Sequence, residues 1–388
     1  MVHNRYRHAG GEDEVVAQEA EMLAQHDHEI RWLTADNREI TDGSVISRAL
    51  LAARTIWSDV GHRRATQCVR ASRPDVAHFH NTFPQISPSA YYACRDAGVA
   101  VVQTLHNYRL LCANALLSRA GRPCEECLGR TPPWPAVRHA CYRDSRVASG
   151  VVAAMVTLHR ALGTWTRAVD LFIALTNFAR DRFIAGGIPA DRIVVKPNFV
   201  AHDPGRGDHT GGYALFVGRL SHEKGLTTLM QACRLLGDSF PLKVVGDGPL
   251  ASLAGDAPPN VEWLGRQPKA RVFALMRDAR VLVFPSEVYE GFPLTIAEAF
   301  ATGLPVVASR LGSIAEIVHH GETGLLATPG SAEDLATSLE HLLMSPGLAA
   351  FLGNAARGQY EQQYTAERNY RMLDEVYRTA MNRRRAAS

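Results

Sequence analysis

Glu290-Gly291-Phe292-Pro293-Leu294-Thr295-Ile296-Ala297-Glu298 sets two carboxylates on either side of a seven-residue run. The run follows Val281-Leu282-Val283-Phe284, an apolar segment of strand character, and ends ahead of Gly303-Leu304-Pro305. The order predicts strand, loop, helix. Glu290 then lies on a loop at the C-terminal end of a strand, and Glu298 about two turns into the next helix, at ~5.4 Å per turn. Open α/β sheets bind ligands in the crevice outside those strand ends. Ionised carboxylates accept hydrogen bonds without donating them, which suits a polyhydroxylated ligand. Two solvated glutamates near a helix start, where the dipole favours them, are the competing explanation.

Upstream, Phe216-Val217-Gly218-Arg219-Leu220-Ser221-His222-Glu223-Lys224-Gly225-Leu226 runs from a predicted strand (213–217) through a turn into a helix beginning near Lys224. Backbone N–H groups at a helix start, with Arg219 and Lys224 beside them, suit a diphosphate. Lys224 is one of four lysines against 38 arginines. Ordinary surface cations are the alternative. Val244-Val245-Gly246-Asp247-Gly248-Pro249 closes another strand with glycines that let backbone approach a ligand.

In order and spacing these motifs resemble glycosyltransferase family 4: Gly218-Arg219-Leu220 with Lys224-Gly225, then Gly246-Asp247-Gly248-Pro249, then Glu290 and Glu298. His3-Asn4-Arg5-Tyr6, Gly10-Gly11-Glu12-Asp13 and Thr104-Leu105-His106-Asn107 look like loops of the same family. The resemblance covers nearly the whole chain. It implies a GT-B fold, with two Rossmann-like parallel-sheet domains facing a central cleft. It also implies retaining, metal-independent transfer from a nucleoside-diphosphate sugar to a saccharide or lipid-linked acceptor in cell-surface polysaccharide synthesis.

The resemblance assigns roles as well. Glu298 takes the ribose hydroxyls, and Glu290 takes the donor sugar with the backbone of Gly291, Phe292, Pro293 and Leu294. Arg219 and Lys224 neutralise the departing diphosphate, and Gly218, Gly246 and Gly248 approach the donor. His106 stands near the donor sugar, Gly10 and Gly11 form a loop near the diphosphate and acceptor, and Arg266 neighbours the base. For His106 a purely structural histidine is the alternative.

Composition agrees. A chain of 388 residues suggests two domains. A hydrophobic share of 46% with 21% charged residues is that of a globular protein. No apolar run reaches the ~18 residues of a membrane span, and the first residues lack a signal peptide's apolar region, so a cytoplasmic setting is expected. A net charge of +3 is too small to argue for nucleic acid. Through Val195 there are 23 arginines against 19 acids, and beyond it 19 cations against 20 acids. Arg48, Arg54, Arg63, Arg64, Arg70 and Arg73 fall on one predicted helical region. That is either a solvated face or a peripheral contact with anionic membrane at the inner face.

Strands are predicted at 28–33, 75–79, 99–105, 171–174 and 193–195, then at 213–217, 242–245, 261–264, 281–284, 305–308 and 324–326. Their alternation with helices argues for parallel sheets. An N-terminal domain is set at 1–202, a glycine-rich linker at 203–212 and a C-terminal domain at 213–365. A last helix, about 366–382, returns to the first domain by family expectation, and a basic tail frays beyond it. Only Met1 and Val2 precede His3, so the central first strand is expected to be cut short by a late start or truncation, leaving its sheet position nearly empty.

Cys112, Cys124, Cys127 and Cys141 include a C-x-x-C knuckle and supply four ligands for a structural zinc, with reduced thiols or a disulfide as the alternative. No D-x-D pair occurs, which argues against a metal-dependent transferase. Gly246-Asp247-Gly248-Pro249-Leu250-Ala251 also matches a dinucleotide fingerprint weakly. That dehydrogenase reading explains neither the two cations nor the two glutamates. A non-catalytic nucleotide-binding relative and a sugar-nucleotide epimerase stay as further alternatives.

Overall fold

The computed structural model describes residues 1–7, 10–40, 44–237 and 240–387. The chain divides into two compact units, Met1–Leu117 with Cys124–Pro197 and Asn369–Ser388, and Asn198–Arg368 with Ser118–Pro123.

The first unit is built on β1 (Val2–Arg5), β2 (Leu33–Asp36), β3 (Val76–Asn81) and β4 (Ala100–Leu105). After a short hairpin that belongs to the second unit, β5 (Ser118–Arg119) and β6 (Arg122–Pro123), the first unit continues with β7 (Leu171–Ala174) and β8 (Ile193–Val195). The sheet runs β2-β1-β3-β4-β7-β8, and every pairing in it is parallel. All six residues of β4 and all four of β7 are buried, as expected of a parallel sheet covered on both faces.

The first strand is formed, contrary to expectation. Val2–Arg5 pairs with Leu33–Asp36 along its whole length and fills the position between β2 and β3, with Val2, His3 and Asn4 buried. This pairing also corrects β2. The ladder begins at Leu33, the last residue of the predicted strand, because Val2 sets the register opposite it.

The second unit contains β9 (Ala214–Val217), β10 (Leu242–Val245), β11 (Val261–Gly265), β12 (Val281–Phe284), β13 (Val306–Ser309) and β14 (Gly324–Ala327). They are ordered β11-β10-β9-β12-β13-β14, all parallel. Its core is aliphatic, with Leu226, Leu229, Val244, Val281, Val283 and Leu339 packed together.

The stretch 203–212 is not a free linker. Gly207 N donates to Thr302 O at 2.9 Å, His209 N to Arg277 O at 3.0 Å and Gly211 N to Asp278 O at 2.9 Å. Arg357 holds Asp203 at 2.6 Å. These bonds tie it into the second unit, so the chain divides at Pro197 instead. The tail does not fray within the described residues: the last helix spans Ala366–Ala387, and buried Arg384 donates to Asp170 Oδ2 at 2.9 Å. The predicted arginine-rich region is two helices, Val45–Ile56 and Asp59–Ser72, separated at Trp57 and Ser58.

Candidate active site

In the second sheet the strand order reverses between β9 and β12, the topological switch point where such sheets bind ligands. The loops leaving these two strands lie against each other. Gly225 adopts φ +70°, and a Cβ there would sit 1.9 Å from the Pro285 carbonyl oxygen, so only glycine permits the approach. Glu287 N donates to Glu223 O at 3.0 Å across the same contact.

This approach brings Lys224 Nζ to 2.7 Å from Glu290 Oε1, although 66 residues separate them. Ser286 Oγ donates to the same oxygen at 2.7 Å. Both charged groups stay partly open to solvent. Lys224 ends a short 3-10 turn, His222–Lys224, and the helix starts only at Leu226. Arg219 is exposed beside this turn, and no ion pair holds it among the described residues.

The glycine turns after β9 and β10 pack against each other. Gly218 N donates to Val245 O, and Leu220 N to Asp247 O, both at 3.0 Å. A Cβ on Gly246 would lie 1.8 Å from Gly218 O, and one on Gly248 2.5 Å from Leu220 O. Both glycines are therefore required by the packing of the loops after β9 and β10.

The helix carrying Glu298 is Leu294–Thr302, with Pro293 as its N-cap. Glu298 thus sits at the start of the second turn, not two turns in. It is buried and paired with Lys269. Sequence reasoning missed Lys269, because its pairing shows only in the fold, where each of the four lysines faces a glutamate: Lys196 with Glu19, Lys224 with Glu290, Lys243 with Glu262, and Lys269 with Glu298. Phe292 and Leu294 are buried, Gly291 is half-buried at the bend, and Arg266 is exposed just past β11.

The first unit holds a different chemistry. His106 follows β4, and its Nε2 lies 2.9 Å from His80 Nδ1. Burial pushes its imidazole down to about 3, so it is neutral at pH 7. His80 and His78 are buried and also held well below the usual histidine range, chiefly by burial. Glu19 Oε2 lies 3.4 Å from His80 Nε2, while Lys196 Nζ donates to Glu19 Oε1 at 2.8 Å. A carboxylate there favours the proton on His80 Nε2. His80 Nδ1 then accepts from His106 Nε2–H, which leaves His106 Nδ1 as an acceptor. Glu19, His80 and Lys196 carry no motif, and reasoning from sequence did not find them.

Gly10 is the N-cap of helix Gly11–Gln25 with extended backbone, and a Cβ on Gly10 or Gly11 would meet nothing within 4 Å. The fold itself does not require glycine at either position.

Among the described residues, Glu19, His78 and His80 form the one group of three ligand atoms lying within 4.8 Å of one another. The Lys196 ammonium on the same carboxylate and Tyr377 Oη, 2.8 Å from His78 Nδ1, favour a hydrogen-bonded cluster over a cation there. None of Cys112, Cys124, Cys127 and Cys141 forms a disulfide. Burial, followed by Cys112, Cys141 and Cys124, pushes the Cys127 thiol up to about 12. Four thiolates suit zinc as donors, but the sulfurs stand too far apart to share an ion without rearrangement.

The profile of Glycosyltransferase Family 4 matches residues 9–203, and that of Glycosyl transferases group 1 matches residues 211–345. The amylovoran biosynthesis glycosyltransferase AmsK of Erwinia amylovora is 30% identical over 53% of this chain and 56% of its own. The D-rhamnosyltransferase WbpZ of Pseudomonas aeruginosa is 33% identical over 40% and 42%. The chain thus spans about half the length of the curated relatives it matches. The structure of Anabaena Alr3699/HepE with UDP superposes with a TM-score of 0.66 at 18% identity, over 97% of this chain and 98% of that one. Sucrose-phosphate synthase from Thermosynechococcus elongatus gives 0.67 at 18%, over 99% and 96%. Those likenesses establish the GT-B fold, and with the profile over half of its length the chain belongs to glycosyltransferase family 4.

Proposed function

We propose that the chain moves a sugar from a nucleoside-diphosphate sugar to a saccharide or lipid-linked acceptor, with retention, in polysaccharide assembly. The meeting of Lys224 and Glu290 at the switch point between β9 and β12, beside exposed Arg219, carries this reading. The bond that breaks joins the anomeric carbon to a diphosphate oxygen. Negative charge grows on the leaving diphosphate, where Arg219 and Lys224 stabilise it. Losing such a fixed charge raises the barrier by ~2.7–4 kcal/mol. Glu290 accepts from the donor sugar hydroxyls, and Glu298, steadied by Lys269, accepts from the ribose. His106, neutral, offers Nδ1 to the sugar. The reaction needs no cofactor. The printed names of AmsK and the Escherichia coli O-antigen chain mannosyltransferase B support polysaccharide chemistry, and the HepE complexes with UDP and UDP-glucose support the donor class.

Thermal stabilisation by UDP, GDP, ADP and NAD at matched concentration tests this. A nucleoside diphosphate at a hundredfold excess over its Kd adds ~2.7 kcal/mol. One of the three is expected to stabilise the chain, with the effect weakened in Arg219→Ala. Stabilisation by NAD alone would refute the assignment.

The proposed setting is cytoplasmic, at the inner face of a membrane. Among the described residues no single helix is long and apolar enough to cross one. Helix Val45–Ile56 exposes Val45 and Ile46 at 74% and 71%, alongside Arg48 and Arg54, a pattern suited to anionic lipid. Cosedimentation with phosphatidylglycerol vesicles but not phosphatidylcholine ones is expected; equal recovery with both sinks the idea. A structural zinc on Cys112, Cys124, Cys127 and Cys141 stays a proposal, and metal analysis well under one zinc per chain ends it.

A further inference from the structure

The first unit contains a cavity of about 160 Å³ that the donor residues do not use. Tyr6 and Arg7 enter it from the loop after β1 and Phe83 from the loop after β3, joined by Arg109 from beyond β4 and by Tyr142 and Arg143. The sheet order β2-β1-β3-β4 puts its topological switch point between β1 and β3, so the cavity occupies the place where a doubly wound sheet binds its ligand.

Its lining includes three arginines and no carboxylate. Arg109 is the informative one. Its guanidinium lies 4.3 Å from the Phe83 ring centroid and 5.0 Å from that of Tyr142, and those two rings meet edge to face. It donates to the Ala113 carbonyl, and no carboxylate reaches it within ion-pair distance among the described residues. Burial acts on it most, and through space it feels Tyr142, Tyr6 and Cys112 ahead of the one carboxyl among them, Glu12. That carboxyl accepts from Tyr6 Oη at 2.8 Å, and burial pushes it up to about 7, so near neutral pH it compensates the arginine only in part. Arg143 lies over the Tyr142 ring, 5.5 Å from its centroid. A guanidinium fixed between aromatic rings and lacking an anionic partner is a pre-organised receptor for an oxyanion. The volume is below the ~300–1,000 Å³ of whole-ligand sites, which fits one anionic group and not a nucleotide.

We propose that this cavity binds an oxyanion carried by the acceptor, so that the chain's second substrate is an anionic saccharide or a phosphate-linked one. This rests on the transferase reading, which gives the first unit the acceptor. A phosphoryl group can come from a soluble sugar phosphate or from a lipid-phosphate carrier, and the test separates the two.

The full chain, saturated with the nucleoside diphosphate that stabilises it most, is titrated calorimetrically with glucose 1-phosphate, methyl glucoside and detergent-dispersed polyprenyl phosphate. Binding of at least one phosphate but not of the neutral glucoside is expected, weakened about tenfold in Arg143→Gln and in Arg7→Gln, the scale of one charge-assisted contact. Those two arginines are exposed, so their replacement spares the fold, whereas Arg109→Gln removes packing as well. A response to glucose 1-phosphate assigns a soluble anionic acceptor, and a response to polyprenyl phosphate alone assigns a lipid-linked one. No binding of either phosphate overturns the proposal, as does binding indifferent to both substitutions. If no nucleoside diphosphate binds, the donor assignment fails, while the same titration on the unliganded chain still reads Arg7 and Arg143.

Discussion

The two units handle charge in opposite ways. In the first, Lys196 and Glu19 form an ion pair at 2.8 Å with both side chains almost wholly buried, surrounded by the neutral imidazoles of His78, His80 and His106. In the second, Lys224–Glu290 and Lys269–Glu298 stand at strand and helix ends with their lysines partly open to water. A buried pair cannot exchange partners with a ligand without leaving a charge in an apolar medium. A half-open pair can, because water compensates whichever group is released. The contrast therefore separates a structural cluster that orients His106 from two pairs available to a charged ligand.

The largest effect that breaks this comparison is expected at Lys196. Lys196→Met leaves the Glu19 carboxylate buried beside imidazoles, and removing one partner of a buried pair costs ~3–5 kcal/mol. Denaturant unfolding should show that loss for the first unit, and Glu19→Gln in the same chain should restore part of it. A loss under ~1 kcal/mol, the range of surface pairs, would remove the distinction between the two units.

Acidification is the next test. His78, His80 and His106 are held below the free histidine range near 6.5, so the folded chain prefers them neutral. Their contribution is present above about pH 6.5 and is lost as pH falls toward 3. Glu12 works in the other sense. Its pKa is raised to about 7, so its contribution is present below about pH 4.5 and lost as pH rises to 7. Three imidazoles against one carboxyl predict a Tm that falls between pH 6.5 and 4. The limiting slope is ~1.4 kcal/mol per pH unit for each group. Glu12→Gln should steepen that fall, since it removes the opposing contribution. A flat profile over that window would place the imidazoles in contact with water.

The alternation of apolar strands and helices was legible because parallel strands buried on both faces are continuous apolar runs. β7, β8, β10 and β12 lie at the predicted bounds. The first strand was not, because Val2-His3-Asn4-Arg5 has one aliphatic residue and takes its place through pairing and buried polar bonds, such as Asn4 Nδ2 to Asn37 Oδ1 at 2.7 Å. Arg219, Lys224, Glu290 and Glu298 were legible as spaced charges next to glycines. Lys269, Glu19 and His80 were not, since their meaning lies in pairings across 29 to 177 residues. The glycine-rich stretch 203–212 misled because its glycines serve close backbone approach, as at Gly207, where a Cβ would fall 2.0 Å from Arg277 O.

The smallest effect on stability is expected at Lys269, and it sharpens the comparison. The Lys269 side chain is 39% exposed, so water screens its charge even though Glu298 is buried. Lys269→Met should change unfolding by only ~0–1 kcal/mol, the range of exposed pairs. Binding is a different matter. Without Lys269, Glu298 loses a charged contact that helps hold its carboxylate in the second turn of its helix, so the stabilisation given by a nucleoside diphosphate should fall. The ribose contact makes a further demand: if Glu298 accepts from ribose hydroxyls, the 2′-deoxy nucleotide should lose affinity in the parent chain and lose less in Lys269→Met. Equal losses in both chains would detach Glu298 from the ribose and leave the Lys269 pair a purely structural feature of the second unit.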